Sequence, residues 1–264
     1  MKIVWIGAGN VATHLSEAFA RAGHETLQVF SRTMQSAQTL AERLGCDATD
    51  RVEDIKPNAD VYVLSVKDDV IDELVEKALP HCENALFIHT AGSVPMEVFR
   101  SYVRHYGVLY PLQTFSRNKS VDFKQIPLFV EASDDESLCR LRQLASSCSD
   151  KIYELSSEKR RQLHLAAVFA CNFVNGCYAM AENILQSKGL PFDVMLPLID
   201  ETANKVHTLN PIVAQTGPAA RGDVEVMKQQ VDLLKDFPEM QEVYQAMSRC
   251  IYRMKHDMEL NDDL

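Results

Sequence analysis

The sequence predicts a chain in two parts: an α/β half built on a doubly wound parallel sheet of the Rossmann type, and an all-helical half after it. Three observations carry this. Short apolar runs alternate with amphipathic stretches through the first 150 or so residues. A glycine-containing turn stands where the first apolar run gives way to the first helical stretch. Beyond residue 155 the strand pattern stops and helical periodicity continues to the end. The expected domains are therefore 1–155 and 156–264.

In order, strands are expected at 2–6, 26–31, 46–48, 61–66, 85–90, 108–110, 127–131 and 151–155. Helices are expected between them at 10–22 and 36–44, each closed by a glycine (Gly23, Gly45) that suits a helix C-terminus. Further helices are expected at 69–78, 96–105 and 135–148, with Asp69 as a helix cap. In the second half helices are expected at 157–188, 191–208, 223–235 and 238–258, with Gly189-Leu190-Pro191 as a stop and restart and Asp223 as an N-cap. The acidic stretch 257–264 reads as a frayed tail.

Composition narrows the function. Of 264 residues, 27 are Lys or Arg and 37 are Asp or Glu, a net charge of −10. That argues against a nucleic-acid protein, which needs a basic stripe; the densest basic run, Lys159-Arg160-Arg161, reads as capping or solvating a helix start. The apolar stretches are broken by His, Asn or Pro before the roughly 18 residues that a membrane span needs, and the run at 3–6 is too short for a signal-peptide core. A cytoplasmic protein is expected. Seven cysteines at irregular spacing contain no C-x-x-C pair, so they are expected to be reduced thiols, with Cys171 and Cys177 as small core residues and no metal site.

The first turn reads Gly7-Ala8-Gly9-Asn10-Val11-Ala12. Gly7 makes the tight turn, Gly9 admits a pyrophosphate to the backbone, and Ala12 lets helix and strand pack closely. The free N–H groups opening the helix then hold the phosphates. The second strand ends in Ser31-Arg32-Thr33, where an NAD site would carry a carboxylate for the ribose 2′-hydroxyl. A guanidinium and two hydroxyls suit a 2′-phosphate, so NADP(H) is the expected cofactor. Val66 and Lys67, after the fourth strand, are expected to flank it. His89-Thr90-Ala91-Gly92-Ser93 follows the fifth strand: Thr90 is expected beside the cofactor, His89 as either a buried structural histidine or a site residue, and Ser93 as a helix cap or a substrate contact.

Together with Tyr110-Pro111-Leu112-Gln113-Thr114-Phe115, these motifs resemble the Rossmann-like NADP oxidoreductases related to pyrroline-5-carboxylate reductase. Two later segments, H-L-A-A-V-F-A-C-N at 164–172 and T-G-P-A-A-R-G-D at 216–223, resemble more closely a branch with a helical C-terminal domain of unknown function. Lys67 departs from the pattern, where such proteins commonly carry Pro. The resemblance implies a helical domain like the C-terminal domain of 6-phosphogluconate dehydrogenase, and polar residues of a long helix placed over the nicotinamide.

The long helix, 157–188, is apolar nearly all round and is expected to be buried. Taking His164 as zero at about 100° per residue, Asn172, Asn175 and Glu182 fall at roughly 80°, 20° and 0°, in one sector. His164 and Asn172 are expected to face the nicotinamide, His164 as proton donor and Asn172 as substrate orienter; a polar seam satisfied by neighbouring helices is the alternative. Arg221 is either a clamp for a substrate anion or an ion pair holding its loop. The expected activity is hydride transfer between NADP(H) and a small carbonyl or imine bound between the domains. A non-catalytic NADP(H)-binding sensor and an enzyme pairing NADP with a deazaflavin fit the same residues. A helix this apolar predicts a homodimer through the helical half.

Overall fold

The computed structural model describes residues 1–78, 84–117 and 119–262. It divides into two compact units, Met1–Phe173 and Val174–Leu264.

The first unit is built on one eight-stranded sheet: β1 (Lys2–Ile6), β2 (Glu25–Phe30), β3 (Asp47–Thr49), β4 (Val61–Leu64), β5 (Leu86–His89), β6 (His105–Pro111), β7 (Leu128–Ala132) and β8 (Ile152–Glu154), in the order β3-β2-β1-β4-β5-β6-β7-β8. The central strands are buried on both faces, as in a sheet covered by crossover helices. Their side chains alternate between two apolar layers. Ile3, Trp5, Val61, Val63, Leu86 and Ile88 pack on one side with helices α1 (Asn10–Arg21), α2 (Met34–Leu44) and α4 (Asp135–Ser146). Val4, Ile6, Tyr62, Leu64 and Phe87 pack on the other with Ile71 and Val75 of helix α3 (Ile71–Ala78).

Two expectations fail here. The helix expected at 96–105 is only a 3-10 turn, Met96–Phe99, because the chain from His105 onward pairs with β5 in a seven-residue buried strand. The sheet is also not wholly parallel, since β6 and β7 run antiparallel. Among its described residues the segment joining them has no crossover helix, only the 3-10 turn Phe123–Gln125, and the chain returns beside β6 in the opposite direction.

The order reverses between β1 and β4, which opens a crevice at the carboxyl ends of the strands. Backbone bonds align that edge: Gly7 N–H donates to Phe30 O (2.8 Å), Ser65 N–H to Ile6 O (2.8 Å), Thr90 N–H to Leu64 O (3.1 Å) and Ser31 N–H to Thr49 O (3.1 Å).

After β8 the chain is helical: α5 (Ser157–Ala167), a π-helical segment (Val168–Phe173) and α6 (Val174–Gln186). The second unit continues with α7 (Leu196–Lys205), α8 (Pro211–Ala214), α9 (Pro218–Arg221), α10 (Val224–Leu233) and α11 (Pro238–Asp262). The short helices α8 and α9, each opened by a proline, were not expected. The acidic end is helical through Asp262 rather than frayed, and residues 263–264 lie outside the described residues.

The helix expected to be buried is exposed in this chain. Leu165, Phe169 and Phe173 are more than half exposed, and Cys171 and Cys177 are exposed rather than core residues. No described residue of Ser157–Gln186 in its most apolar eighteen-residue window is buried, and that window, with mean hydropathy 1.3, is long and apolar enough to cross a membrane by length and composition. Cys82 lies outside the described residues; the other six cysteines are free.

Candidate active site

At the sheet's carboxyl edge lies a cavity of about 960 Å³, large enough for a dinucleotide. It begins at the glycine turn. Gly7 has φ +118°, and a Cβ there would stand 2.1 Å from Ser65 O, so only glycine lets the turn sit against β4. A Cβ at Gly9 would meet nothing within 4 Å, which leaves that side of the turn open. Gly9 is the N-cap of α1 and no side chain caps the helix, so its first N–H groups are free for an anion. Open turn and uncapped helix together fit a pyrophosphate.

Most residues expected at the cofactor line this cavity: Gly7, Ala8, Gly9, Asn10 and Val11 from the first turn, Ser31 and Arg32 after β2, Val66 and Lys67 after β4, and Thr90 after β5. Arg32 is exposed and makes no ion pair among the described residues. Thr33 does not line the cavity. It is the N-cap of α2, and its hydroxyl donates to Ser36 Oγ (2.8 Å), which does line it. Thr90 Oγ1 donates to Ser65 Oγ at 3.1 Å.

At the other end stands His164 of α5. Its Nδ1 lies 2.9 Å from Tyr110 Oη, and the two rings meet edge to face at 5.9 Å. Burial pushes the Tyr110 phenol above its ordinary pKa; Arg160 opposes the shift, and Asp68 and Cys171 add to it. The imidazole rests on Gly92, where a Cβ would be 2.6 Å from His164 Cγ and Nδ1. Gly92 is thus required by the histidine rather than by its own backbone.

Ser93 and Asn172 are not on the cavity wall. Ser93 is exposed, and its hydroxyl donates to the carboxylate of Asp68, a lining residue. The cap expected at Asp69 is not formed, since no side-chain bond caps the 3-10 turn Asp68–Val70. Asn172, Asn175 and Glu182 are exposed. The π segment lies between His164 and Asn175, and its wider turn takes more residues per rotation, so the uniform phase that placed these residues in one sector does not hold.

His89 is wholly buried, stacks on Phe99 at 5.7 Å and accepts the Ala91 N–H at 3.2 Å, so it is structural. Burial, reinforced by the Arg160 charge, holds its pKa down at about 3 against a hydrogen bond to the Pro95 backbone carbonyl, which raises it.

Arg160 corrects another expectation. It is not solvated but 1% exposed, and pairs with Glu131 of β7 at 2.7 Å. It also donates to Val94 O and, at 3.1 Å, to Ser157 Oγ. Glu131 in turn accepts the Ser157 N–H (2.8 Å) and hydroxyl (2.6 Å). This network ties the first turn of α5, and with it His164, to the sheet and to the loop after β5.

Tyr110, Gly92 and Arg160 carry the site without having been assigned to it. Tyr110 and Gly92 stand in motifs quoted from the sequence, but only their contact with His164, 54 residues from Tyr110, gives them a role. In the second unit, Arg221 pairs at 3.2 Å with Asp223, two residues on, and Asp223 is an N-cap without a side-chain bond.

Residues 2–91 match a family described as NADP oxidoreductase, coenzyme F420-dependent, and residues 126–251 match a domain of unknown function, DUF2520. The chain is 49% identical to a Bacteroides fragilis protein assigned as an NADP oxidoreductase, over 96% of this chain and 98% of that one, with a TM-score of 0.92. Protein TM1727 of Thermotoga maritima is 22% identical over 97% of this chain and 99% of its own, with a TM-score of 0.70. The 1-pyrroline-5-carboxylate reductase of Streptococcus pyogenes shares the fold, at 14% identity over 96% and 98% of the two chains and a TM-score of 0.63. No curated protein matches the chain. An open glycine turn, an arginine where NAD sites carry a carboxylate, and near-complete coverage of a relative at half identity lead to one assignment: the chain belongs to the Rossmann-fold NADP(H)-dependent oxidoreductases.

Proposed function

We propose that this oxidoreductase reduces a small carbonyl or imine compound with NADPH, or runs the reverse reaction, with the reducible group bound between the sheet edge and α5. One observation carries the reading: a histidine, held by a tyrosine at 2.9 Å, lines the cavity that begins at the glycine turn. When bound, NADPH supplies the hydride. Gly7 to Val11 hold the pyrophosphate, Arg32 with Ser31 takes the 2′-phosphate while Thr33 positions Ser36 on the wall, and Val66, Lys67 and Thr90 flank the rest of the cofactor.

Reduction leaves charge on the substrate oxygen or nitrogen, and a positioned acid must neutralise it. Protonated on both ring nitrogens, His164 can donate its Nδ1–H to the Tyr110 hydroxyl oxygen, 2.9 Å away, and give its Nε2 proton to the substrate, returning to the neutral imidazole. Ser93 acts through Asp68, which it hydrogen-bonds at the cavity. Functionally, residues 1–155 form the NADP-binding domain and 156–264 the substrate and dimerisation domain. Free thiols at every described cysteine suit a cytoplasmic protein.

The test is a titration with NADPH and NADH, followed by absorbance at 340 nm across cyclic imines and keto acids. NADPH should bind more tightly than NADH and be oxidised by at least one member of the panel. Binding without turnover, with or without a reduced deazaflavin, would leave a sensor in its place.

The protein is a homodimer in this reading. In the second unit the buried hydrophobic residues among those described are Ala219 and Leu234, while Leu198, Val194 and Leu233 are 59%, 58% and 77% exposed. A unit with so little core needs a partner surface, and a symmetric copy is the common one. Light scattering at micromolar concentration should give twice the 29.7 kDa chain mass, and a monomer alone would refute it.

A further inference from the structure

The cofactor cavity has a neighbour. A polar recess of about 240 Å³ lies between α1 and α2, lined by Thr13, Gln35, Thr39 and Arg43, and shares Ala8, Ser36 and Arg117 with the cavity. Ala8 belongs to the glycine turn and Ser36 to the first turn of α2, so the shared wall is where the ribose of an adenosine must pass.

Arg117 comes to this wall from far away in sequence, on the loop between β6 and β7. Two side chains of α1 hold that loop down. Asn10 Nδ2 donates to Phe115 O at 2.9 Å, and His14 Nε2 lies 2.9 Å from Ser116 O. The His14 ring also stacks on Phe115 at 5.3 Å. The residue after Ser116 is thereby carried to the rim. Arg43, by contrast, is paired with Glu17 at 3.3 Å, and Arg117 makes no hydrogen bond or ion pair among the described residues.

The charges on this wall call for a second cation. Asp50, which follows β3, also lines the cavity, and β3 ends beside Ser31 through the Ser31 N–H to Thr49 O bond. One carboxylate offsets Arg32, so Arg32 alone leaves that end neutral. With Arg117 it becomes cationic, as a doubly charged phosphate requires.

We propose that Arg117 is a specificity-determining residue that holds the 2′-phosphate of NADP(H) together with Arg32, reaching over the shared wall from the β6–β7 loop. The proposal deepens the cofactor assignment and rests on it.

Fluorescence titration of the full chain with NADPH and with NADH tests it. Arg117→Gln should weaken NADPH by about 10- to 100-fold, the loss of one charged hydrogen-bonding group, and change NADH by less than about twofold. Arg117→Lys should recover part of the loss, and Arg32→Gln should show the same selectivity. The side chain is exposed, so the melting temperature should stay unchanged. Unchanged NADPH affinity in Arg117→Gln would overturn the proposal. Parallel weakening of both dinucleotides would also overturn it, by putting Arg117 on the shared pyrophosphate. A wild-type chain that binds neither dinucleotide would instead remove the cofactor assignment, and the proposal with it.

Discussion

Replacing His164 by alanine is expected to lower turnover by roughly 10²-fold or more with any substrate the protein reduces, the usual contribution of a positioned general acid. NADPH affinity should barely change, because the residues proposed to hold its phosphates, Gly7, Gly9 and Arg32, line the cavity away from the histidine. The same substitution removes the ring that rests on Gly92 and meets Tyr110, so some stability is lost whatever the histidine does in catalysis. Two measurements on one variant separate the roles: turnover per folded molecule and melting temperature. A lower melting temperature with turnover intact would remove His164 from the chemistry. Gly92→Ala gives an independent check, since its methyl would need the space the imidazole occupies and should displace a ring that is still present.

Glu131→Gln should be the most destabilising of the changes considered. It leaves the Arg160 guanidinium, 1% exposed, with no counter-charge in the contact it makes at 2.7 Å. Removing one member of a buried pair costs about 3–5 kcal/mol, because the remaining charge cannot return to water without unfolding its surroundings. For a chain of this size that corresponds to a fall in melting temperature of roughly 6–20 °C. The double variant Glu131→Gln with Arg160→Met should recover much of the loss, since an apolar side chain of similar length has no charge to strand. Thermal unfolding of the three proteins decides it; a single variant that melts with the wild type would show that the pair holds nothing together. Because the same network anchors the first turn of α5, the single variant should also lose activity below its melting point, by loosening His164.

The cofactor end of the site was legible before the fold was known. Gly7, Gly9, Arg32 and Thr90 are neighbours of strands whose apolar runs are unmistakable, and each strand delivers its last residue to the same edge. Backbone register is set by local pattern, so a motif at a strand end can be placed by counting. The substrate end was only half legible. His164 could be singled out as a polar residue in an apolar helix, but Tyr110, Gly92, Arg160 and Arg117 answer to contacts 29 or more residues away. A lysine-arginine-arginine run looks the same in sequence whether solvated or buried on a glutamate. Helical phase misled at Asn172, since nothing in the local pattern announces a π segment, which changes the rotation per residue. Amphipathicity misled on burial: an apolar helix states that it must be covered and does not say by what. Short-range spacing therefore determined the Rossmann half and its dinucleotide turn. Which distant side chains meet at His164, and which apolar faces are left for another molecule, is settled by long-range packing, whose energy depends on surfaces that no window of sequence contains.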